Sequence, residues 1–432
     1  MVNTKRGLVL GATAVALTAV TVTGAGLHLS QSQAFFQESP KELVDEVWQI
    51  INQYYVDGTF GGVDWTGIRQ EYLDQRDYEN KEEAYVAIRE MLEELEDPYT
   101  RFMDPQEFRN MQIDTSGELT GVGIQLTKDE EKDQLIVIAP IEDTPAFQAG
   151  IQARDVITKI DGRSTEGMDI NTAVNLIRGP VGKGVILTIE REGEKETDYL
   201  IIRDRIEIHP VRYSRKDTAA GEIGYIRLTQ FNANASLEMR EAIRDLEERD
   251  VAGYILDLRS NPGGLLQASV QIASMWIDEG TIVSTVNRKG VMDTQEARGR
   301  ALTDKPLVVL VDGGSASASE ILSGALQDKE RALLVGTKTF GKGLVQSVRG
   351  LGDGSGLAVT IAKYLTPLGR DINKLGIEPD ISKELTEEER KELRGDRTLI
   401  GTERDPQYST ALEVLEQEIA KANSQQAGTV NK

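Results

Sequence analysis

The chain has 432 residues, 39% hydrophobic and 28% charged, too long for one compact core and globular in composition, with room for about two to four domains. Its 71 acidic residues against 49 basic ones leave a net charge of −22. No phosphate-neutralising excess exists, which argues against nucleic acid as the main partner. With no cysteine and only His28 and His209, disulfides, thiolate catalysis and cysteine-ligated zinc are excluded, and histidine metal sites nearly so.

At the start, Lys5 and Arg6 precede an uncharged stretch from Gly7 to Leu27. A basic n-region followed by an apolar h-region is the pattern of an export signal. Residues 7–27 are also long enough to span a bilayer as an uncleaved anchor, so membrane association through them is a second expectation. Ser32-Gln33-Ala34 is a small-x-small cleavage site, and residues 1–34 are assigned to this targeting segment. His209 is then the single histidine of the mature protein.

Residues 35–112 are expected to form a helical domain. Ser39-Pro40-Lys41-Glu42 fits a capping box with proline at the first helical position. Leu43, Val47, Ile50 and Tyr54 recur at helical spacing, and Asn80 with Glu83 marks a second start. Between Glu38 and Glu118, 21 acidic residues face 7 basic ones, as expected of a solvated helical face.

Residues 113–205 switch to a strand period. Gly121-Val122-Gly123-Ile124 precedes the apolar run Leu135–Ala139, then Asp155-Val156-Ile157, Ile160-Asp161-Gly162 and the strand Val185–Ile189, with a helix near Asp169–Ile177. This order resembles a bacterial PDZ domain, departing from the pattern at Arg154, where a glycine often precedes the aspartate. The resemblance implies that backbone N–H groups of Gly121, Val122, Gly123 and Ile124 receive a peptide's terminal carboxylate while the peptide adds as a strand.

Residues 206–386 alternate strand and helix. Strands are expected at Ile223–Leu228, Gly253–Leu258, Thr281–Val286 and Leu307–Val311, and helices at Ser236–Glu248, Leu265–Trp276 and Ser317–Gln327. Such alternation implies an α/β layer with mostly parallel, buried strands. Residues 387–432 read as a charged C-terminal tail, in which Ala411–Ile419 has the spacing of a short amphipathic helix.

The chemistry concentrates in two glycine-rich turns and a strand-to-helix turn. Asp312-Gly313-Gly314-Ser315-Ala316-Ser317-Ala318-Ser319-Glu320 joins an apolar strand to a helix, so a hydroxyl can project from a tight backbone beside a helix N-terminus. Serine needs a base to act as a nucleophile. His209 lacks any partnered motif, whereas a desolvated lysine can serve, and Lys342 lies 25 residues after Ser317 in Phe340-Gly341-Lys342-Gly343. Gly336–Lys342 formally matches the start of a phosphate-binding loop, but Gly343 replaces the required Ser or Thr and a strand follows instead of a helix. Ser315 and Ser319 are alternative nucleophiles.

Together, Ser-Ala-Ser-Ala-Ser-Glu, the Phe-Gly-Lys-Gly loop with Gln346, and Asp257-Leu258-Arg259-Ser260-Asn261-Pro262-Gly263-Gly264 resemble the carboxyl-terminal processing proteases, Ser–Lys endopeptidases with an inserted PDZ domain. The resemblance runs from about Glu42 to Asp380, and the helical segment with Tyr54-Tyr55-Val56-Asp57 and Asp97-Pro98-Tyr99-Thr100-Arg101-Phe102 looks closest to the cyanobacterial branch; the family includes photosynthetic members that mature the D1 reaction-centre protein. It implies Ser317 as nucleophile, Lys342 as general base, Gln346 orienting the lysine, and Gly263 and Ala318 as oxyanion donors, with Asp328 in a supporting role. The fold class is accordingly α/β multidomain: a helical N-terminal segment, a PDZ-like β-rich domain and a crotonase/Clp-protease-like catalytic core. The expected protein is an exported serine endopeptidase of periplasm or thylakoid lumen, acting on protein substrates with a free C-terminus. No cofactor or metal is implied. The competing class is a PDZ adaptor or chaperone on a silent core, against which the presence of both Ser317 and Lys342 speaks.

Overall fold

The computed structural model describes residues 39–430 apart from 130–131, 142, 192–193 and 291. Residues 1–34, with the expected targeting segment, lie outside it. Among the described residues no helix is long and apolar enough to cross a membrane. The chain divides into two compact units, one of residues up to Phe108 plus Gln346–Ile361, the other of Arg109–Val345 plus Ala362 onward.

The first unit is built on helices Pro40–Tyr54, Trp65–Asp74 and Lys81–Glu93. The expected capping box is present: Glu42 N–H donates to Ser39 Oγ (3.2 Å) and Ser39 N–H donates to the Glu42 carboxylate (2.8 Å). Asn80 caps the third helix through Glu83 N–H (2.9 Å). Leu43, Val47 and Ile51 recur every fourth residue and bury one stripe against Ala84, Ile88 and Met91. This core is completed by residues far along the chain, Leu351, Leu357 and Val359. The strand of Leu357 and Val359 pairs antiparallel with Arg101–Met103, Phe102 facing Leu357. Residues 346–361 were expected in the catalytic core, so the helical domain is discontinuous.

In the second unit, the β-rich segment folds around its own core of Val122, Leu135, Val137, Ile157, Ala173 and Leu187. Its sheet runs Ile124–Asp129, Gln134–Pro140, Val156–Ile160, Gly184–Glu190, Thr197–Ile202, with helix Ile170–Ile177 capped by Asp169. Arg154 takes φ +73°, the left-handed conformation that glycine favours, so the expected turn forms with an arginine in it.

The α/β layer has strands in the order Val211–Thr218, Gly221–Leu228, Tyr254–Asp257, Leu307–Val311, Leu333–Gly336, Ile381–Ser382. All pair in parallel except the first, an antiparallel edge. Side chains alternate along each strand. Leu256, Leu307, Val309 and Val311 pack against helices Ala235–Glu248, Leu266–Trp276 and Ala318–Asp328, while Ile255, Val308 and Leu310 face the other way. That second face is covered by Tyr408, Ala411, Leu415 and Ile419 of helix Pro406–Val430. The expected charged tail is therefore an integral layer, because a parallel sheet needs cover on both faces. A second correction concerns Thr281–Val286. It lies in strand Glu279–Asn287, antiparallel to Met292–Arg298 and to residues 362–365, in a separate sheet.

The C-terminal helix is tied to the layer by a buried ion network. Arg259 donates bidentately to Asp257 (3.0 and 2.7 Å) and to Asp405 (3.0 and 2.7 Å), and also to Gln407 (3.0 Å). Asp405 accepts in addition from Gln407 and Tyr408 N–H, capping the helix that Pro406 opens. Burial alone would raise the Asp257 carboxyl, but the Arg259 charge and hydrogen bonds outweigh it and hold it below the ordinary range. Its ionised form therefore contributes stability that is complete above about pH 4, its unfolded value, and is lost as pH falls through the lower folded value. We expect Asp405→Ala, which strands one face of Arg259 and removes the cap, to lower unfolding stability by about 3–5 kcal/mol in urea titrations at pH 7.

Candidate active site

Strand Leu307–Val311 ends in a turn braced by the side chains of Asp312, Ser315 and Ser319. Asp312 accepts from the N–H of Ser260 (2.7 Å) and of Gly314 (2.9 Å). Ser315 Oγ donates to Leu258 O (2.9 Å) and Ser319 Oγ to Asn261 O (2.8 Å), and both serines are buried. The two alternative nucleophiles are thus used as struts. Ser317, between them, is half-buried and holds φ +53°, ψ −111° at the N-cap of helix Ala318–Asp328. A non-glycine residue at that φ stores about 1–3 kcal/mol of strain, held by surrounding bonds.

The bond that holds it comes from Glu320. This side chain is fully buried, and its two carboxyl oxygens accept four donors. One oxygen takes Ser317 N–H (2.9 Å) and Lys342 N–H (2.9 Å), the other Thr339 Oγ1 (2.6 Å) and Gly341 N–H (2.7 Å). The nucleophile turn and the lysine loop are therefore pinned to one group. The buried Tyr364 hydroxyl contacts the carbonyls of the same two residues, Ser317 O (3.1 Å) and Lys342 O. Gly341 takes φ +90° with its α-carbon against the backbone of 374–376, a passage only glycine allows.

The second glycine-rich turn approaches Ser317 directly. A side chain on Gly263, at φ +99°, would lie 2.6 Å from Ala316 O and 2.9 Å from Ala318 N. The two expected oxyanion donors are thus side by side. Ala318 N–H opens the helix and has no partner among the described residues, whereas Gly263 N–H donates to Asn261 Oδ1 (2.9 Å). Asn261 is itself buried, with Nδ2 on Leu228 O (2.8 Å) and its carbonyl accepting from Ala316 N–H (3.0 Å).

Other expected residues lie elsewhere. Asp328 ends the helix that Ser317 begins, about 16 Å away by helical rise, and is bound to Arg370 and to Leu368 N–H (2.9 Å). Gln346 belongs to the unit of the N-terminal helices, with Nε2 buried and without a hydrogen bond. His209 is exposed and pairs with Glu238 (2.7 Å). In the β-rich domain, Val122 and Gly123 N–H groups have no partner among the described residues. Gly123 (φ +82°) leaves no room for a side chain above Thr144, and Ile124 begins the edge strand of its sheet beside helix Ile170–Ile177.

Comparison with known proteins resolves what this arrangement belongs to. Residues 222–383 match the Peptidase family S41 model, 136–191 a PDZ domain and 36–93 the Tricorn protease C1 domain. A carboxyl-terminal-processing protease of Picosynechococcus sp. is 45% identical over 428 residues, 98% of this chain and 99% of that one. The chain belongs to the carboxyl-terminal-processing protease family. It is a serine-type C-terminal processing endopeptidase with a PDZ domain, and peptides are its substrates. A Synechocystis sp. protease of the same name is 45% identical over 412 residues, 94% of each chain. The solved photosystem II D1 C-terminal processing protease is 37% identical, with TM-score 0.57 over 86% of this chain and 99% of that one. The adaptor alternative gives way to these findings.

Three residues at the protease's site escaped the sequence reading: Glu320, Asn261 and Tyr364. Glu320 had a signal, since Ser317-x-x-Glu320 has capping-box spacing. We expect Glu320→Gln to be nearly as damaging as Glu320→Ala. One orientation of the amide turns its NH2 toward two backbone N–H groups, the other toward Gly341 N–H and the Thr339 hydroxyl, which can turn to accept. At least one donor is stranded, costing about 1–3 kcal/mol, read as a lower urea midpoint together with lost peptidase activity.

Proposed function

We propose that the protease cleaves near the C-termini of exported proteins with Ser317 as nucleophile and Lys342 as general base. The reading is supported above all by the convergence of both backbones on Glu320. Ser317 Oγ attacks the scissile carbonyl carbon while the uncharged Lys342 amine takes its proton. The C–N bond then breaks, and the proton passes from Lys342 to the leaving amine. Water, giving a proton to Lys342, attacks the acyl carbon; the bond to Ser317 Oγ breaks and Lys342 returns the proton to that oxygen. The developing oxyanion lies against Ala318 N–H, and against Gly263 N–H once that group leaves Asn261. Asp328 is assigned to securing the turn at the far helix end.

The PDZ domain is proposed to receive the substrate's free C-terminus at Gly121–Ile124, with Val122 and Gly123 N–H groups on the carboxylate. The basic, then apolar, start of the chain supports export to periplasm or thylakoid lumen, with residues 7–27 as signal or anchor. The resemblance to the D1-processing structure supports a D1-type precursor as substrate.

Ser317→Ala and Lys342→Ala should each lower turnover of an unfolded protein with an apolar C-terminus at least about a thousandfold, with circular dichroism unchanged. Turnover retained by pure Ser317→Ala protein would refute the assignment. Amidating the terminal carboxyl of a good peptide substrate should cut kcat/KM about 10- to 100-fold, matching ~1.5–3 kcal/mol of charge-assisted hydrogen bonds. Equal rates for acid and amide would remove the PDZ domain from recognition of the terminus.

A further inference from the structure

Tyr364 lies in strand Gly356–Leu365, buried, with its N–H on Gly343 O (3.1 Å) and its α-carbon opposite Thr285. Its ring joins the apolar core beneath the α/β layer. Its hydroxyl reaches two backbone oxygens, Ser317 O (3.1 Å) and Lys342 O. A phenol has one proton to donate. Ser317 O already accepts helix N–H groups from Glu320 (2.8 Å) and Ile321 (2.9 Å), so the Lys342 carbonyl gains most from that proton. At Lys342, then, the N–H is held by Glu320 and the carbonyl by Tyr364. At Ser317 the same two side chains meet the N–H and the carbonyl. Two buried groups from distant parts of the chain thus bracket both residues.

We propose that Tyr364 is a positioning residue of this protease, its hydroxyl holding the Lys342 loop at a set distance from the Ser317 turn. The proposal rests on the roles given to Ser317 and Lys342 above. Packing needs only the ring, which phenylalanine also supplies; positioning needs the oxygen. Lys342 stands between Gly341 and Gly343, whose carbonyls are held by the N–H groups of Lys374 (2.8 Å) and Tyr364 (3.1 Å). The phenol fixes the Lys342 carbonyl between them, and without it the lysine's own peptide can rock between two glycines. The amine then spends less time in line with Ser317 Oγ, and a displacement near 1 Å costs about 100-fold in rate.

The test compares the full-length protein with Tyr364→Phe, Ser317→Ala and a matched control, Tyr254→Phe, another buried core tyrosine whose hydroxyl is bound to Glu247 instead. On a fluorogenic peptide, Tyr364→Phe should lower kcat about 10- to 100-fold with KM within about twofold, while Tyr254→Phe keeps wild-type kcat. The melting temperatures of the two Phe variants should fall by similar amounts. If Tyr364→Phe folds only in part, the first-order rate constant for labelling Ser317 with a fluorophosphonate, which is independent of the folded fraction, should still drop at least about tenfold. Wild-type kcat or labelling in Tyr364→Phe, beside an inactive Ser317→Ala, overturns the positioning role and leaves the Ser–Lys pair standing. An equal loss of kcat in Tyr254→Phe also overturns it. Turnover retained by Ser317→Ala overturns both readings.

Discussion

A single buried carboxyl group, that of Glu320, is the constraint on which the protease's site depends. Placing such a group away from water is costly unless every lone pair finds a donor, and here four donors converge on it. The donors come from a serine turn and a lysine loop about twenty residues apart, so satisfying the carboxyl group forces those segments together. The same bond sustains the left-handed conformation of Ser317, which by itself would relax. Strain at Ser317 and burial of an acid are two costs with one shared solution.

Around that centre, the strap Asp257–Gly264 is fixed from behind. Asp257, Arg259 and Asp405 form a buried charge network in which each oxygen has a hydrogen-bonded partner, the condition for such a network to be tolerated. Because Asp405 also caps the C-terminal helix, the helix that covers one face of the sheet begins at the group that orients the strap. Asn261 then carries the restraint forward, bonding Leu228 behind and the serine turn in front. Its bond to Gly263 N–H engages one of two adjacent N–H groups, while that of Ala318 has no partner among the described residues. The balance between them is a local property of one Asn side chain.

Much of this was legible in the sequence where the signal is local. Ser39-x-x-Glu42, Asn80 and Asp169 were readable as helix starts because a cap is chemistry between residues three apart, and all three caps are present. Strand Leu307–Val311 was readable with its observed bounds because a strand buried on both faces is a continuous apolar run. Glycines 263 and 341 advertised close backbone approach and show it. Thr281–Val286 was readable as a strand but not as a member of its sheet, since apolar alternation does not name a partner.

By itself, then, the sequence determined most element types, the order of the modules and the short motifs that the candidate site is built from, all properties written in short-range spacing and residue type. Only the tertiary structure decided that residues 346–361 return to the N-terminal helices and that the charged C-terminus is a structural layer. It alone decided that Glu320 and Tyr364 bracket the site and that Arg259 finds Asp405 across 146 residues. The reason is that these are bonds between segments far apart in the chain. Their geometry follows from how whole layers pack, and no periodicity along the backbone records it.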